Sequence, residues 1–146
     1  MSETSIPVAN CLIVPIRGAS DPRGTVNFLE VGREIDFPIK RVFWIHGVPQ
    51  GRPRGKHGHR QLSLLLIAVS GGCDVVLDDA NRTCTVRLER PDHGLLVGPW
   101  VWHELHDFAQ GTVVLALASG LYDEADYIRD YDAFRAEVAA RTDNKS

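Results

Sequence analysis

Short apolar runs alternate with turn-forming clusters along this chain, at positions 11–16, 26–31, 41–48, 61–69, 73–77, 83–88, 94–97 and 112–118. Between them lie Asp21-Pro22-Arg23-Gly24, Pro49-Gln50-Gly51-Arg52-Pro53, Ser70-Gly71-Gly72, Asp78-Asp79-Ala80-Asn81 and Gln110-Gly111, all rich in residues that turn the backbone. Many short strands with such punctuation predict an all-β sandwich or barrel with antiparallel connections. The stretch 62–69 is apolar on both faces and is expected to be central, whereas 83–88 alternates and is expected at the periphery. Helical periodicity is confined to the C-terminus. There Tyr127, Ile128, Tyr131, Phe134 and Val138 recur at spacings of three and four, which predicts a short helix within 126–141 packed on the barrel.

Composition narrows this picture. The 146 residues suit one domain spanning 1–146, with 1–8 and 142–146 expected to be flexible, and no repeat or linker divides them. A hydrophobic share of 44%, a charged share of 24% and a net charge of -3 read as a globular protein without the bulk basic charge of a nucleic-acid binder. The three cysteines, Cys11, Cys73 and Cys84, form no CxxC pair and suit reduced thiols. With no apolar stretch near the roughly 20 residues of a spanning helix and no signal-like start, a cytoplasmic location is expected, with no membrane partner.

The candidate chemistry lies in Arg54-Gly55-Lys56-His57-Gly58-His59-Arg60. In an extended segment, His57 and His59 share one face with Cα atoms about 6.6 Å apart, so both rings reach one ligand. Gly51 upstream and Gly71 downstream reproduce the outline of the first cupin motif, and 94–103 resembles a degenerate second motif ending at His103. The chain thus resembles a cupin, a double-stranded β-helix or jelly-roll barrel. Three imidazoles suit a metal such as zinc, iron or nickel. The glutamate that the cupin metal motif places four or five residues after its second histidine is absent, because Ser63 and Leu64 stand there. A metal-free pair of imidazoles, whose ordinary pKa lies near 6.5, suits proton transfer near neutral pH.

The resemblance extends further. Pro38-Ile39-Lys40-Arg41-Val42-Phe43, the His57 segment, Leu77-Asp78-Asp79, Gly98-Pro99-Trp100-Val101-Trp102-His103-Glu104 and Asp126-Tyr127-Ile128-Arg129-Asp130-Tyr131 occur in order. Together they resemble the dTDP-4-keto-6-deoxyglucose 3,4-ketoisomerase family over most of the chain. That resemblance implies a cupin-fold homodimer that moves a carbonyl between C4 and C3 of a dTDP-sugar without metal or cofactor, supplying deoxysugars found in antibiotics and surface glycans. The family's RG.HAH signature falls on Arg54, Gly55, His57, Gly58 and His59, which makes His57 and His59 the implied catalytic pair. Gly58 replaces the commoner alanine, and Phe43 and Trp44 stand where the family usually has a tyrosine.

For the substrate's diphosphate, Arg54, Arg41 and Arg23 are the expected donors, because guanidinium forks match phosphate oxygens. Trp102 is a candidate for stacking on thymine and His103 for contacting the sugar. The aromatic stripe of Tyr127, Tyr131 and Phe134 is expected to pack the helix on the barrel, with no chemical role. Dimerisation is expected through exchange of an N-terminal strand such as 11–16, whose edge a partner would satisfy. A nucleotide-sugar epimerase and a non-catalytic sugar- or metal-binding cupin sensor are the competing functions.

Overall fold

Alternating side chains on thirteen antiparallel segments decide the architecture of the computed structural model, which describes residues 3–144. The strands are β1 (Thr4–Ser5), β2 (Cys11–Pro15), β3 (Arg17–Asp21), β4 (Gly24–Phe28), β5 (Arg41–His46), β6 (Arg54–His59) and β7 (Leu64–Ser70). They continue as β8 (Cys73–Asp78), β9 (Thr83–Leu88), β10 (His93–Val97), β11 (Trp102–His106), β12 (Val113–Ala118) and the two-residue β13 (Tyr127–Ile128). One sheet runs β1-β2-β10-β7-β12-β5, the second β13-β6-β11-β8-β9, and β3 with β4 forms a separate hairpin. The result is the expected two-sheet jelly roll with one C-terminal helix, α1 (Tyr131–Asn144).

The core lies between the sheets. Leu64, Leu66 and Ala68 of β7 and Val114, Ala116 and Ala118 of β12 face Cys73, Val75 and Leu77 of β8 and Leu105 of β11. The other face of β7 explains why its sequence is apolar throughout. Leu65 and Ile67 pack with Val14, Ile16 and Leu117 under Ile35 and its neighbours Phe37 and Ile39, which cover the outside of the sheet. Burying one such side chain contributes roughly 1.5–3 kcal/mol. The alternating β9 is the edge of the second sheet, as its pattern predicts.

Among the strands that escaped the apolar pattern, β3 and β6 did so for the same reason. β3 (Arg-Gly-Ala-Ser-Asp) belongs to an exposed hairpin and β6 (Arg-Gly-Lys-His-Gly-His) turns polar side chains inward, so neither carries an apolar run. The helix begins at Tyr131 rather than at 126, because Asp130 caps it, its carboxylate accepting the Ala133 N–H at 2.9 Å. Residues 127–128 pair with β6 instead, Tyr127 opposite His59 and Ile128 opposite Gly58.

Of the termini expected to be flexible, Thr4–Ser5 pairs with β2 and the helix continues through 142–144, while residues 1–2 and 145–146 lie outside the described residues. The strand expected to offer an open edge, β2, lies between β1 and β10. No helix among the described residues is long and apolar enough to cross a membrane.

Candidate active site

A β-bulge sets the register of the site. His103 of β11 pairs with His57 of β6, yet the next residue, Glu104, pairs with Gly55, so Lys56 is the extra residue. Gly55 and Lys56 both take positive φ, 83° and 65°. A side chain on Gly55 would come within 3.0 Å of the His103 carbonyl oxygen, which is why glycine stands there. The bulge shifts the inward position by one. Arg54, opposite the inward-facing Leu105, therefore lines the same cavity as His57.

The three histidines meet at the bottom of this cavity of about 940 Å³, which opens between β5 and β6. His57 is central. Its ring centroid lies 4.9 Å from His59, 4.6 Å from His103 and 4.9 Å from Tyr127, and each of these pairs is edge-on. His59 and His103 are each 3% exposed, whereas His57 is only half-buried and so is the most accessible imidazole. The Nδ1 atoms of all three are buried without a hydrogen-bond partner among the described residues. His59 Nδ1 is 3.3 Å from Asp126 Oδ2, an ion-pair distance whose alignment is too poor for a hydrogen bond.

Burial lowers the basicity of the cluster. Loss of solvation, and then the neighbouring His59 and Arg129, push His57 down to about 4. Loss of solvation likewise brings His59 down to about 4, against the opposing pull of Asp126. His103 is held well below the usual imidazole range by burial and by its two neighbours. At neutral pH the rings can accept protons.

The same shifts bear on stability, with a definite sign. Unfolded imidazoles titrate near 6.5 and the folded ones near 4, so between these values the unfolded chain binds more protons and stability falls as the solution is acidified. The histidine contribution is present in full above pH 6.5 and is lost toward pH 4. Glu34, Asp92 and Glu124, held at about 2 by their partners, add to this as the pH falls from the ordinary carboxylate range toward 2. Scanning calorimetry should therefore show Tm dropping by on the order of 5 °C between pH 6.5 and 5; a flat Tm across that window would contradict buried neutral imidazoles.

Above the histidines the cavity is cationic and aromatic, lined by Arg41, Arg52, Arg54, Phe43, Trp44 and Tyr122 among others. Arg129, also in the lining, is paired with Glu124 at 2.6 Å and lies 4.4 Å over the Tyr127 ring. Arg41, Arg52 and Arg54 have no carboxylate partner among the described residues. The Arg41 guanidinium lies against the rings of Phe43 and Tyr122 and reaches the Tyr127 hydroxyl only at 3.5 Å. Unpaired guanidinium groups gathered at one cavity suit an anionic ligand.

The sequence-predicted residues thus divide. His57, His59, His103, Arg54 and Arg41 come together. Arg23 does not: it sits in the β3–β4 turn, its side chain 90% exposed and bound to Asp21 at 2.6 Å. Trp102 does not either. Next to His103 on a strand, it must face the other way, and its ring packs on Tyr131 and Phe134 with Nε1 donating to Glu104 Oε2 at 2.8 Å. Glu104, which could have held His103, instead takes Trp102 and His106.

The packing role expected for the aromatic stripe fits Tyr131 and Phe134 but not Tyr127, whose ring lies 4.4 Å from His59 in the cavity. Arg52 had no sequence signal of its own, and Asp126 and Arg129 stood in the motif at 126–131 without an expected role. For a metal, one ring nitrogen from each histidine lies within 4.8 Å of the others, so the three could converge on an ion. No carboxylate joins them from positions 63 and 64, where Leu64 lines the cavity with carbon.

Comparison with known proteins agrees with the fold. The FdtA family, described as WxcM-like, C-terminal, matches residues 9–139. A TDP-4-oxo-6-deoxy-alpha-D-glucose-3,4-oxoisomerase of Aneurinibacillus thermoaerophilus is 42% identical over 127 residues, 87% of this chain and 91% of that protein. The sugar 3,4-ketoisomerase QdtA of Thermoanaerobacterium thermosaccharolyticum, solved in complex with TDP, is 37% identical with a TM-score of 0.88, covering 91% of this chain and 97% of that one. The TDP-quinovose 3,4-ketoisomerase WlaRB of Campylobacter jejuni is 42% identical with a TM-score of 0.85, covering 88% and 99%. With a cupin jelly roll, a matching sequence pattern across most of its length and these ketoisomerases as structural neighbours, the chain belongs to the FdtA family.

Proposed function

We propose that this protein is a metal-independent 3,4-ketoisomerase that converts dTDP-4-keto-6-deoxy-D-glucose into the 3-keto sugar by histidine acid/base catalysis, in cytoplasmic deoxysugar biosynthesis. The observation that carries this reading is the meeting, in one cavity, of three imidazoles with Arg41, Arg52 and Arg54, arginines without a carboxylate partner among the described residues. The family's relatives include an oxoisomerase named for TDP-4-oxo-6-deoxyglucose and a ketoisomerase solved with TDP.

The chemistry follows from the ketone. A carbonyl at C4 acidifies the C3 hydrogen, and a neutral imidazole removes it to leave an enediol across C3 and C4. O4 gains a proton as O3 gives one up, and a proton delivered to C4 completes the shift, so the atoms of the sugar are conserved. His57 is the main base in this scheme because it is the most accessible ring and contacts the other two. His59 relays protons, and His103 lies beside the sugar. The arginines bind the diphosphate, and the thymine stacks at the aromatic mouth formed by Phe43 and Tyr122, a role the burial of Trp102 denies to that residue.

The active form in this reading is a homodimer built by exchange of N-terminal β-structure. The β3–β4 hairpin exposes Val26 and Phe28, and the edge strand β5 exposes Val42 and Trp44, which gives each copy an apolar edge and an apolar arm. Sedimentation should give twice the mass of one chain. Incubation with the 4-keto sugar followed by proton NMR tests the function. A ketone now at C3 supports the isomerase, inversion at C3 or C5 with the ketone still at C4 makes the protein an epimerase, and bound but unchanged sugar makes it a sensor. Activity that survives chelation supports the metal-free reading; activity lost to chelation and restored by one divalent ion overturns it.

A further inference from the structure

We infer that Asp126 is a positioning residue for His59: its carboxylate fixes the His59 ring as the Nδ1–H tautomer and holds the proton that His59 takes up during the isomerisation. The inference rests on the proposed ketoisomerase reading for its catalytic part, and on geometry alone for the tautomer.

Asp126 is unusually well fixed for a residue outside the regular elements. It ends a 3-10 turn (Glu124–Asp126) capped by Asp123, whose side chain accepts the Ala125 N–H. Its Oδ1 accepts the Gln61 N–H at 2.7 Å, and its Oδ2 accepts the Leu62 N–H at 3.2 Å. Those two donors lie just beyond the end of β6, so the carboxylate is tied to the strand that carries both histidines. With its side chain 13% exposed, it has little freedom to turn elsewhere.

The oxygen that binds Leu62 is also the one 3.3 Å from His59 Nδ1. That nitrogen is buried, so the cavity reaches His59 through Nε2. A carboxylate behind Nδ1 favours a proton there and leaves the Nε2 lone pair open to substrate. The contact is loose in the free protein, as contacts of this kind often are before the reacting complex forms, and it should tighten when His59 becomes cationic.

The other groups facing His59 explain why this carboxylate matters. His57 and Tyr127 lie edge-on to the ring, His103 stacks at 5.8 Å, and Arg41 and Arg129 are close enough to oppose a positive charge. Among the groups acting on the ring, Asp126 is the one that favours the charged form. Among the described residues no carboxylate contacts His57 in this way, and the two histidines are therefore unequal. His57 exchanges protons with the sugar, and His59 stores one.

Nitrogen-15 NMR of the wild-type histidines gives the first test, and it needs neither substrate nor a variant. A protonated Nδ1 and a bare Nε2 on neutral His59 are expected; the Nε2–H tautomer would overturn the inference. The second test is Asp126→Asn, which keeps the size and one acceptor oxygen but removes the charge. We expect the His59 titration to move to lower pH, kcat to fall about 10²-fold and KM to stay within about threefold. Asp126→Glu should recover part of the loss. A loss of kcat with the His59 tautomer and titration unchanged would make Asp126 merely structural and overturn the inference. If the sugar proves not to be the substrate, the NMR results still decide the dyad.

Discussion

His57→Asn is expected to lower kcat by at least about 10³-fold while TDP still binds with near wild-type affinity. His57 touches both other imidazoles and is the accessible member of the cluster, so its loss removes the group that meets the C3 proton. A positioned acid/base side chain contributes about 10²- to 10⁴-fold, and His59, buried behind it, is poorly placed to substitute. Asparagine keeps polarity and approximate size, and the arginines above the site are untouched. Steady-state kinetics together with calorimetric titration of TDP would measure both effects. Turnover within tenfold of wild type would exclude His57 as the base.

The second large effect is on stability. Phe134 is fully buried in a small cluster with Trp102 and Ile128, apart from the main core, and this cluster holds α1 to the second sheet. Truncation to alanine leaves a cavity that the rigid strands cannot close, at a cost of about 3–5 kcal/mol and a Tm lower by on the order of 10 °C. The consequence reaches the active site through Gly58. A methyl group there would lie 3.4 Å from the Phe134 ring and 3.2 Å from the Val101 carbonyl oxygen, so the ring packs directly on the backbone between the two histidines. The same space admits the alanine common in the family, with adjustments of a few tenths of an ångström. Urea denaturation of Phe134→Ala should therefore show the stability loss together with reduced kcat at temperatures where the variant is folded. A loss below about 1 kcal/mol would mean that the helix is held elsewhere.

How much of this was legible from sequence depended on whether a residue's role followed from its own strand. Stretch 62–69 revealed β7 because both of its faces are buried, one between the sheets and one under Ile35. The histidine pair was legible because period two in an extended segment puts both rings on one side, and the register of β11 then brings His103 opposite His57. That same rule forbids Trp102 from sharing the face of His103, and the motif resemblance obscured it. Arg54 faces inward only because of the bulge at Lys56, which no periodicity reveals.

Tyr127 and Asp126 were hidden for a different reason. Tyr127 falls in phase with the apolar positions of α1, so it reads as the first residue of that helix, yet the Asp130 cap starts the helix four residues later. Freed from the helix, Tyr127 pairs with His59 across β13 and β6, and Asp126 meets the end of β6. Contacts between residues more than sixty positions apart leave no local trace. Arg52 carries only the turn composition of its loop. Arg23 was expected as a phosphate donor for its guanidinium alone, but its exposed hairpin turn points its charge at Asp21 and solvent.

The central claim is that imidazoles in this cavity take a proton from C3 and deliver one to C4. Its most direct test is turnover of dTDP-4-keto-6-deoxyglucose in D₂O, followed by NMR of the product. The mechanism predicts a ketone at C3 and deuterium bonded to C4, delivered by a histidine that exchanges with solvent. A ketone retained at C4 with deuterium at C3 or C5 would contradict it.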